Sequence, residues 1–207
     1  MKKCYSLATL VVAGLLSLVV SSCLNDDNEP TTKIDASYYN KVSGNYSGFV
    51  QYQIDWNSRE TKKLDGIEMT VTPDSTLMIM GIPAAVFAKN ITDKDIREAI
   101  SALPSPTLVA RYLIAGINTS GASMFVQPKS VEFKGVQVGG KSHDYSITFY
   151  VPSVALATPN YSLFSVNAYL YKLNEDGKEK EVFLKQNSVI DESLIIFVEC
   201  GRARIPQ

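Results

Sequence analysis

The chain is poor in the residues that most often do chemistry. Its 207 residues include one histidine, His143, one tryptophan, Trp56, and three cysteines. A lone histidine without a cysteine cluster excludes the ligand sets of zinc sites. Basic and acidic residues nearly balance, 20 against 21, for a formal net charge of −1. A nucleic-acid partner needs a basic excess that is absent here. The one long apolar run, residues 7–20, is shorter than the ~20 residues of a membrane-spanning helix. No internal repeat survives a position-by-position comparison.

What is present begins at the N-terminus. Lys2 and Lys3 precede the apolar run, and Val20-Ser21-Ser22 places small residues before Cys23. This is the layout of a secretory signal. A plain signal needs no cysteine after the cut. Val20-Ser21-Ser22-Cys23 resembles the bacterial lipobox. That resemblance implies removal of residues 1–22, acylation of Cys23 on its thiol and new amine, and a membrane anchor exceeding the two acyl chains that stable attachment requires. Leu24-Asn25-Asp26-Asp27-Asn28-Glu29 resembles the acidic export signal of surface-exposed Bacteroidetes lipoproteins. It implies a lipid-anchored outer-membrane protein facing outward, with the periplasmic face as the alternative. In physical terms residues 23–42 read as a polar, acidic, flexible tether with nothing to bury. Residues 43–207 are enough for one domain with a sizeable core.

Cys4 leaves with the signal and Cys23 takes lipid, so Cys200 has no partner for a disulfide. Period-two alternation puts Cys200 on the face of Leu194, Ile196 and Val198, where it reads as a small buried hydrophobe rather than a nucleophile.

The rest of the chain alternates with the period of strands. Tyr46, Val50, Tyr52 and Ile54 share one face with Gly48 and Trp56, opposite Ser47, Gln51, Gln53 and Asp55. Residues 67–72 and 76–80 read as strands joined by a turn at Pro73-Asp74-Ser75. Thr92 with Asp95 reads as a capping box opening a single amphipathic helix over 93–103, stopped by Pro104 and Pro106. Further strands are expected at 108–117, 131–138 with a bulge at Gly135, 145–151, 164–171, around Val182 and Leu184, and 194–200. The expected fold is mainly β: about nine strands with one short helix, as an antiparallel β-barrel or a β-sandwich.

"SGNYSGFVQ", residues 43–51, resembles the opening strand of calycin-type barrels, with Gly44, Tyr46 and Gly48 at the matching positions. Tyr46 stands where lipocalins usually carry Trp. With the lipobox and acidic stretch, the chain resembles Bacteroidetes surface lipoproteins carrying an all-β domain of unknown function. No activity comes with that resemblance.

Several motifs invite a sharper reading. Residues 135–142, "GVQVGGKS", fit the spacing of a phosphate-binding loop, but that loop needs a following helix. The sequence after Ser142 is aromatic, β-branched and alternating, so Gly139-Gly140-Lys141-Ser142 reads as a hairpin tip. His143-Asp144 has no G-x-S-x-G serine to activate, and Asp55 and Glu68 read as solvent-face charges. No catalytic residue, metal or cofactor is expected. Asp74-Ser75-Thr76 resembles the O-glycosylation motif of exported Bacteroidetes proteins, which implies Ser75 as a possible acceptor. Alternation turns Tyr150, Tyr169 and Tyr171 outward; with Trp56 they are candidates for stacking on sugar faces. The expected function is a non-catalytic binding module for a small apolar ligand or a glycan. The alternative is a structural or interaction protein with an envelope partner. A cavity would mark the first and a filled core the second.

Overall fold

A computed structural model describes residues 34–54, 60–184 and 191–202. The expected signal, Cys23, the acidic stretch and Trp56 lie outside the described residues.

Alternation organises the strands. In β1 (Gly44–Gln53) Tyr46 and Val50 are buried while Asn45 and Ser47 are exposed. β2 (Thr61–Thr72), β3 (Thr76–Met80) and β4 (Leu108–Asn118) bury Met69, Ile79, Ala110 and Tyr112 in the same rhythm. β5 (Gly121–Pro128), β6 (Val131–Val138), β7 (Lys141–Phe149), β8 (Ser153–Ala157), β9 (Leu163–Glu175), β10 (Lys178–Val182) and β11 (Ile195–Arg202) follow. Eight of them close a barrel in the order β1-β2-β3-β4-β5-β8-β9-β11, and β11 returns to β1. Every pairing is antiparallel. Closure leaves the barrel without an exposed edge.

β9 serves two layers. Residues 163–169 pair with β11, and from Leu170 onward it pairs with β7 and β10. β6, β7, the end of β9 and β10 thereby form a second, four-stranded layer continuous with the barrel. β6 and β10 are its two edge strands, and in β10 Lys178-Glu179-Lys180-Glu181 supplies the charge that discourages edge-to-edge association.

Gly48 is dictated by closure. A Cβ there would lie 2.0 Å from the Glu199 carbonyl oxygen across the β1–β11 seam. The turn from β6 to β7 is the two-residue Gly139-Gly140, with φ of +57° and +77° at the two positions. A tight hairpin of primed type needs positive φ at both. The strand register shifts between Phe133 and Val136, around the expected bulge at Gly135.

Three short α-helices complete the described chain. α1 (Ala36–Val42) is capped by Asp35, whose carboxylate accepts from Ser37 N at 2.7 Å. It lies across the barrel end where β1 starts. The Tyr46 hydroxyl donates to Val42 O at 2.7 Å, and the Tyr39 ring stacks on Tyr112 at 5.6 Å. The compact unit therefore begins at Ile34, where the composition suggested a tether as far as residue 42. Polarity hid this: within "ASYYNKV" only Val42 is buried. α2 (Ala84–Ala88) closes the opposite end with Ala84, Val86 and Phe87 buried, the last edge-on to Phe149 at 6.3 Å. α3 (Lys94–Ser101) buries Ile96 and Ile100 and packs on β6. Its cap is Asp93, not the expected Thr92: the Asp93 carboxylate accepts from Asp95 N and Ile96 N at 3.0 and 3.2 Å.

The fold is thus the barrel rather than the sandwich, with eleven strands among the described residues. The strands not foreseen are β5 and β8. "GASMFVQP" and "SVALA" are short and rich in small residues, and their burial comes from neighbouring strands rather than their own propensity.

Candidate functional site

The inward side chains of the barrel form one continuous buried cluster with α2 and the second layer. Tyr46, Met69, Met124 and Phe164 project into it, with Tyr46 edge-on to Phe164 at 5.6 Å. An eight-stranded barrel is just wide enough for side chains to fill. Arg202 closes the α1 end of the seam: its guanidinium lies over the Tyr46 ring at 5.8 Å and donates to Ser43 O.

The aromatic candidates separate. Tyr150 is 43% exposed, and its ring meets Tyr171 at 6.3 Å with the planes 67° apart. Tyr171 is half-buried, and Lys172 Nζ lies 5.7 Å from its ring centre. Beside this pair, β7 and β9 carry Ser146, Thr148 and Asn174, and Asn174 Nδ2 donates to Ser146 Oγ at 3.2 Å. Tyr169 corrects the expectation: it is 5% exposed. It shares a face with Tyr171, but it pairs with Ile195 at the start of β11, and the turn Glu192–Leu194 packs on the same strand. Alternation tells which residues leave the barrel interior, not which are then covered by a later segment. Trp56, the fourth candidate, lies outside the described residues.

Ser75 sits in the β2–β3 turn with φ of +68°. Its backbone is held at both ends, N–H to Thr72 O at 3.2 Å and C=O from Tyr112 N at 2.9 Å. The neighbouring Asp74 carboxylate accepts from the Thr72 hydroxyl and from Thr76 N, and the first of these bonds holds it below the usual carboxylate range. Ser75 is half-buried on a rigid turn.

The hairpin ends of the second layer form a polar network. His143 Nδ1 is 2.9 Å from Asp176 Oδ2, and Asp144 N donates to Asp176 Oδ1 at 2.9 Å. The buried Tyr145 hydroxyl donates to Glu175 Oε1 at 2.8 Å, and Lys180 Nζ to Glu175 Oε2 at 2.9 Å. Lys180 first, then Tyr145, holds Glu175 below its ordinary value, while burial and Glu175 push the Tyr145 phenol up. These contacts pin the β6–β7 hairpin to the β9–β10 hairpin. Lys141 begins a strand, so the phosphate-loop spacing has no helix behind it. Among the described residues, no cluster of three or more ligating side chains could hold a metal ion. Cys200 is fully buried, and burial pushes its thiol up to about 12.

Sequence reasoning missed one pair altogether. Lys89 and Asn90 follow α2 at its end of the barrel and are only 7% and 6% exposed. Lys89 Nζ donates to Gln53 O at 3.1 Å and Ile195 O at 3.3 Å. Burial pushes the amine down to about 7, with Asp191 opposing. Asn90 Nδ2 donates to Ser193 O at 2.9 Å, and its Oδ1 is buried without a hydrogen-bond partner. "FAKNIT" offers no sequence signal for this, because Lys and Asn after a helix ordinarily face water.

A family model described as a domain of unknown function (DUF4840) matches residues 41–179. No curated protein and no solved structure matches the chain.

Proposed function

We propose, for a chain that belongs to the DUF4840 family of domains of unknown function, a non-catalytic binding role at the cell envelope, with recognition on the outside of the barrel. The anchor is lipidated Cys23 in the outer membrane, and the acidic stretch after it turns the domain toward the cell exterior. The ligand class is a glycan. The observation that carries this reading is the contrast between inside and outside. Apolar side chains project into the barrel and a helix lies across each end. The Tyr150–Tyr171 pair, with Asn174, Thr148 and Ser146 beside it, stands on the outer surface. Exposed aromatic faces beside hydroxyl and amide groups suit the apolar faces and hydroxyls of a sugar.

The test has two parts. Cys23→Ala should move the protein from the membrane to the soluble fraction; unchanged fractionation removes the anchor from the account. Affinity electrophoresis against a polysaccharide panel should show retardation that Tyr150→Ala and Tyr171→Ala abolish. Base–aromatic stacking on proteins is worth ~1–3 kcal/mol by alanine substitution, and loss of a sugar contact of similar size would weaken binding by about fivefold to a hundredfold.

A second reading keeps the anchor and makes the domain a partner-binding element of an envelope complex. It is favoured by Phe49 and Phe197, half-buried and edge-on at 6.3 Å on the outer face of β1 and β11, with Lys63 Nζ 3.7 Å from the Phe49 ring centre. Crosslinking on intact cells that captures one partner through this face, with no glycan retardation, would favour it.

A further inference from the structure

On the outer surface of the barrel β9 carries short side chains between longer ones. Phe164, Val166 and Ala168 point into the core, so alternation turns Ser165 and Asn167 outward. Directly opposed pairs set what flanks them. Val154 of β8 and Phe197 of β11 stand on either side of Asn167, and Leu156 and Glu199 on either side of Ser165. The four flanking side chains are half-buried, whereas Asn167 is only 7% exposed. Ser165 and Asn167 are thus the floor of a shallow trough along β9. Its walls rise from β8 and β11, two strand spacings or about 10 Å apart at the backbone. Buried Tyr169 ends the trough on one side, and Leu163, 43% exposed and opposite Gly201, lies at the other end. Two groups in it are unused. Among the described residues the Asn167 amide makes no side-chain hydrogen bond. Asn90 Oδ1 alone among them is a solvent-excluded side-chain atom without a partner, so the tip of the Asn167 amide is open to solvent. Glu199 forms no ion pair among the described residues.

We propose that this trough docks an extended peptide segment of a partner protein, one that carries an apolar side chain and, two residues from it, a lysine or arginine. A carboxamide offers a donor and an acceptor side by side, the complement of the C=O and N–H of a peptide group. A peptide laid along β9 turns alternate side chains downward every ~7 Å, which is the step from Asn167 to Ser165. Over Asn167 its backbone exchanges hydrogen bonds with the amide, and its apolar side chain rests between Val154 and Phe197. Two residues on, the basic side chain meets the Glu199 carboxylate. One wall is wholly aliphatic, Val154 and Leu156, which suits peptide side chains better than the aromatic faces that stack on sugars. The inference rests on the second reading above, the partner-binding domain, and gives that partner its chemistry. It shares no residue with the Tyr150–Tyr171 surface.

The test pans a phage-displayed library of random peptides against the full-length protein in detergent. The expected result is enrichment of sequences with a basic residue two positions from an apolar one. A synthetic peptide of the leading sequence should bind at least tenfold more weakly to Asn167→Leu and to Glu199→Gln, and equally to Tyr150→Ala. Glu199→Gln changes one half-buried surface group, so it keeps the test valid should Asn167→Leu not fold. Glu199→Lys should turn the selection toward an acidic residue at the same spacing, a reversal that loss of structure cannot produce. Enrichment of no such spacing overturns the proposal, as do peptides that bind Asn167→Leu and Glu199→Gln as tightly as the parent. Polysaccharide retardation that Asn167→Leu abolishes and Tyr150→Ala spares would assign the trough to a sugar and overturn it equally. The partner-binding reading fails separately, when crosslinking on intact cells through Phe49 captures no partner.

Discussion

At the scale of single residues, burial decides behaviour more than residue type does. Lys89 makes this measurable through pH. Its folded value is near 7, against 10.5 when unfolded. Below pH 7 both states hold the proton, and folding carries the cost of a buried cation. Between pH 7 and 10.5 the unfolded chain's Lys89 binds more proton than the folded one's, so the Lys89 contribution to stability rises with pH across that window and levels off above it. The gain is on the order of 5 kcal/mol, and Lys89→Met should remove it, so the difference in urea stability between parent and variant should grow with pH over the same range. A difference with no such rise would show that Lys89 is not buried as described. Gly48→Ala tests the seam, since the new Cβ would strike the Glu199 carbonyl. The expected loss is about 3 kcal/mol, at the upper end for overpacking, read as a lower urea midpoint. Lys89 did not announce itself in the sequence. Gly48 was legible as a member of an alternating strand, but the backbone it approaches lies about 150 positions away.

At the scale of elements, the sequence was legible wherever one element satisfied its own pattern. β1, β4, β7 and β11 alternate cleanly, and the Gly139-Gly140 and Asp176-Gly177 turns carry residues suited to positive φ. α1, α2, β5 and β8 were not legible, because each is only five to eight residues and owes its burial to neighbours. Tyr169 failed for a related reason: it leaves the barrel interior yet is buried where β9 pairs with the start of β11, from later in the chain. The start of α3 shows how local chemistry chooses between adjacent candidates. Asp93 rather than Thr92 accepts from the first-turn N–H groups. Asp93→Ala should therefore cost about 1 kcal/mol, and Thr92→Ala distinctly less, because the Thr92 bond to Glu181 is made by its backbone N–H. Equal losses in thermal unfolding would contradict that assignment.

At the scale of the whole molecule, closure and capping separate inside from outside. The barrel joins its first and last strands, α1 and α2 lie across its two ends, and the second layer grows from the far half of β9. The start of the domain at Ile34 has a consequence. A chain beginning at residue 43 loses Val42 and the Tyr39–Tyr112 stack and should unfold several degrees below one beginning at residue 34. Equal melting temperatures would make α1 dispensable. The same architecture underlies the central claim that glycan recognition is external. The direct measurement is methyl and aromatic NMR of the intact domain during titration with the polysaccharide fragment that retards it most. Shifts confined to Tyr150, Tyr171 and the neighbouring Thr148 are the predicted result. Shifts at Met69, Met124 and Ile79, whose side chains are buried in the barrel core, would contradict it and move the binding site inside.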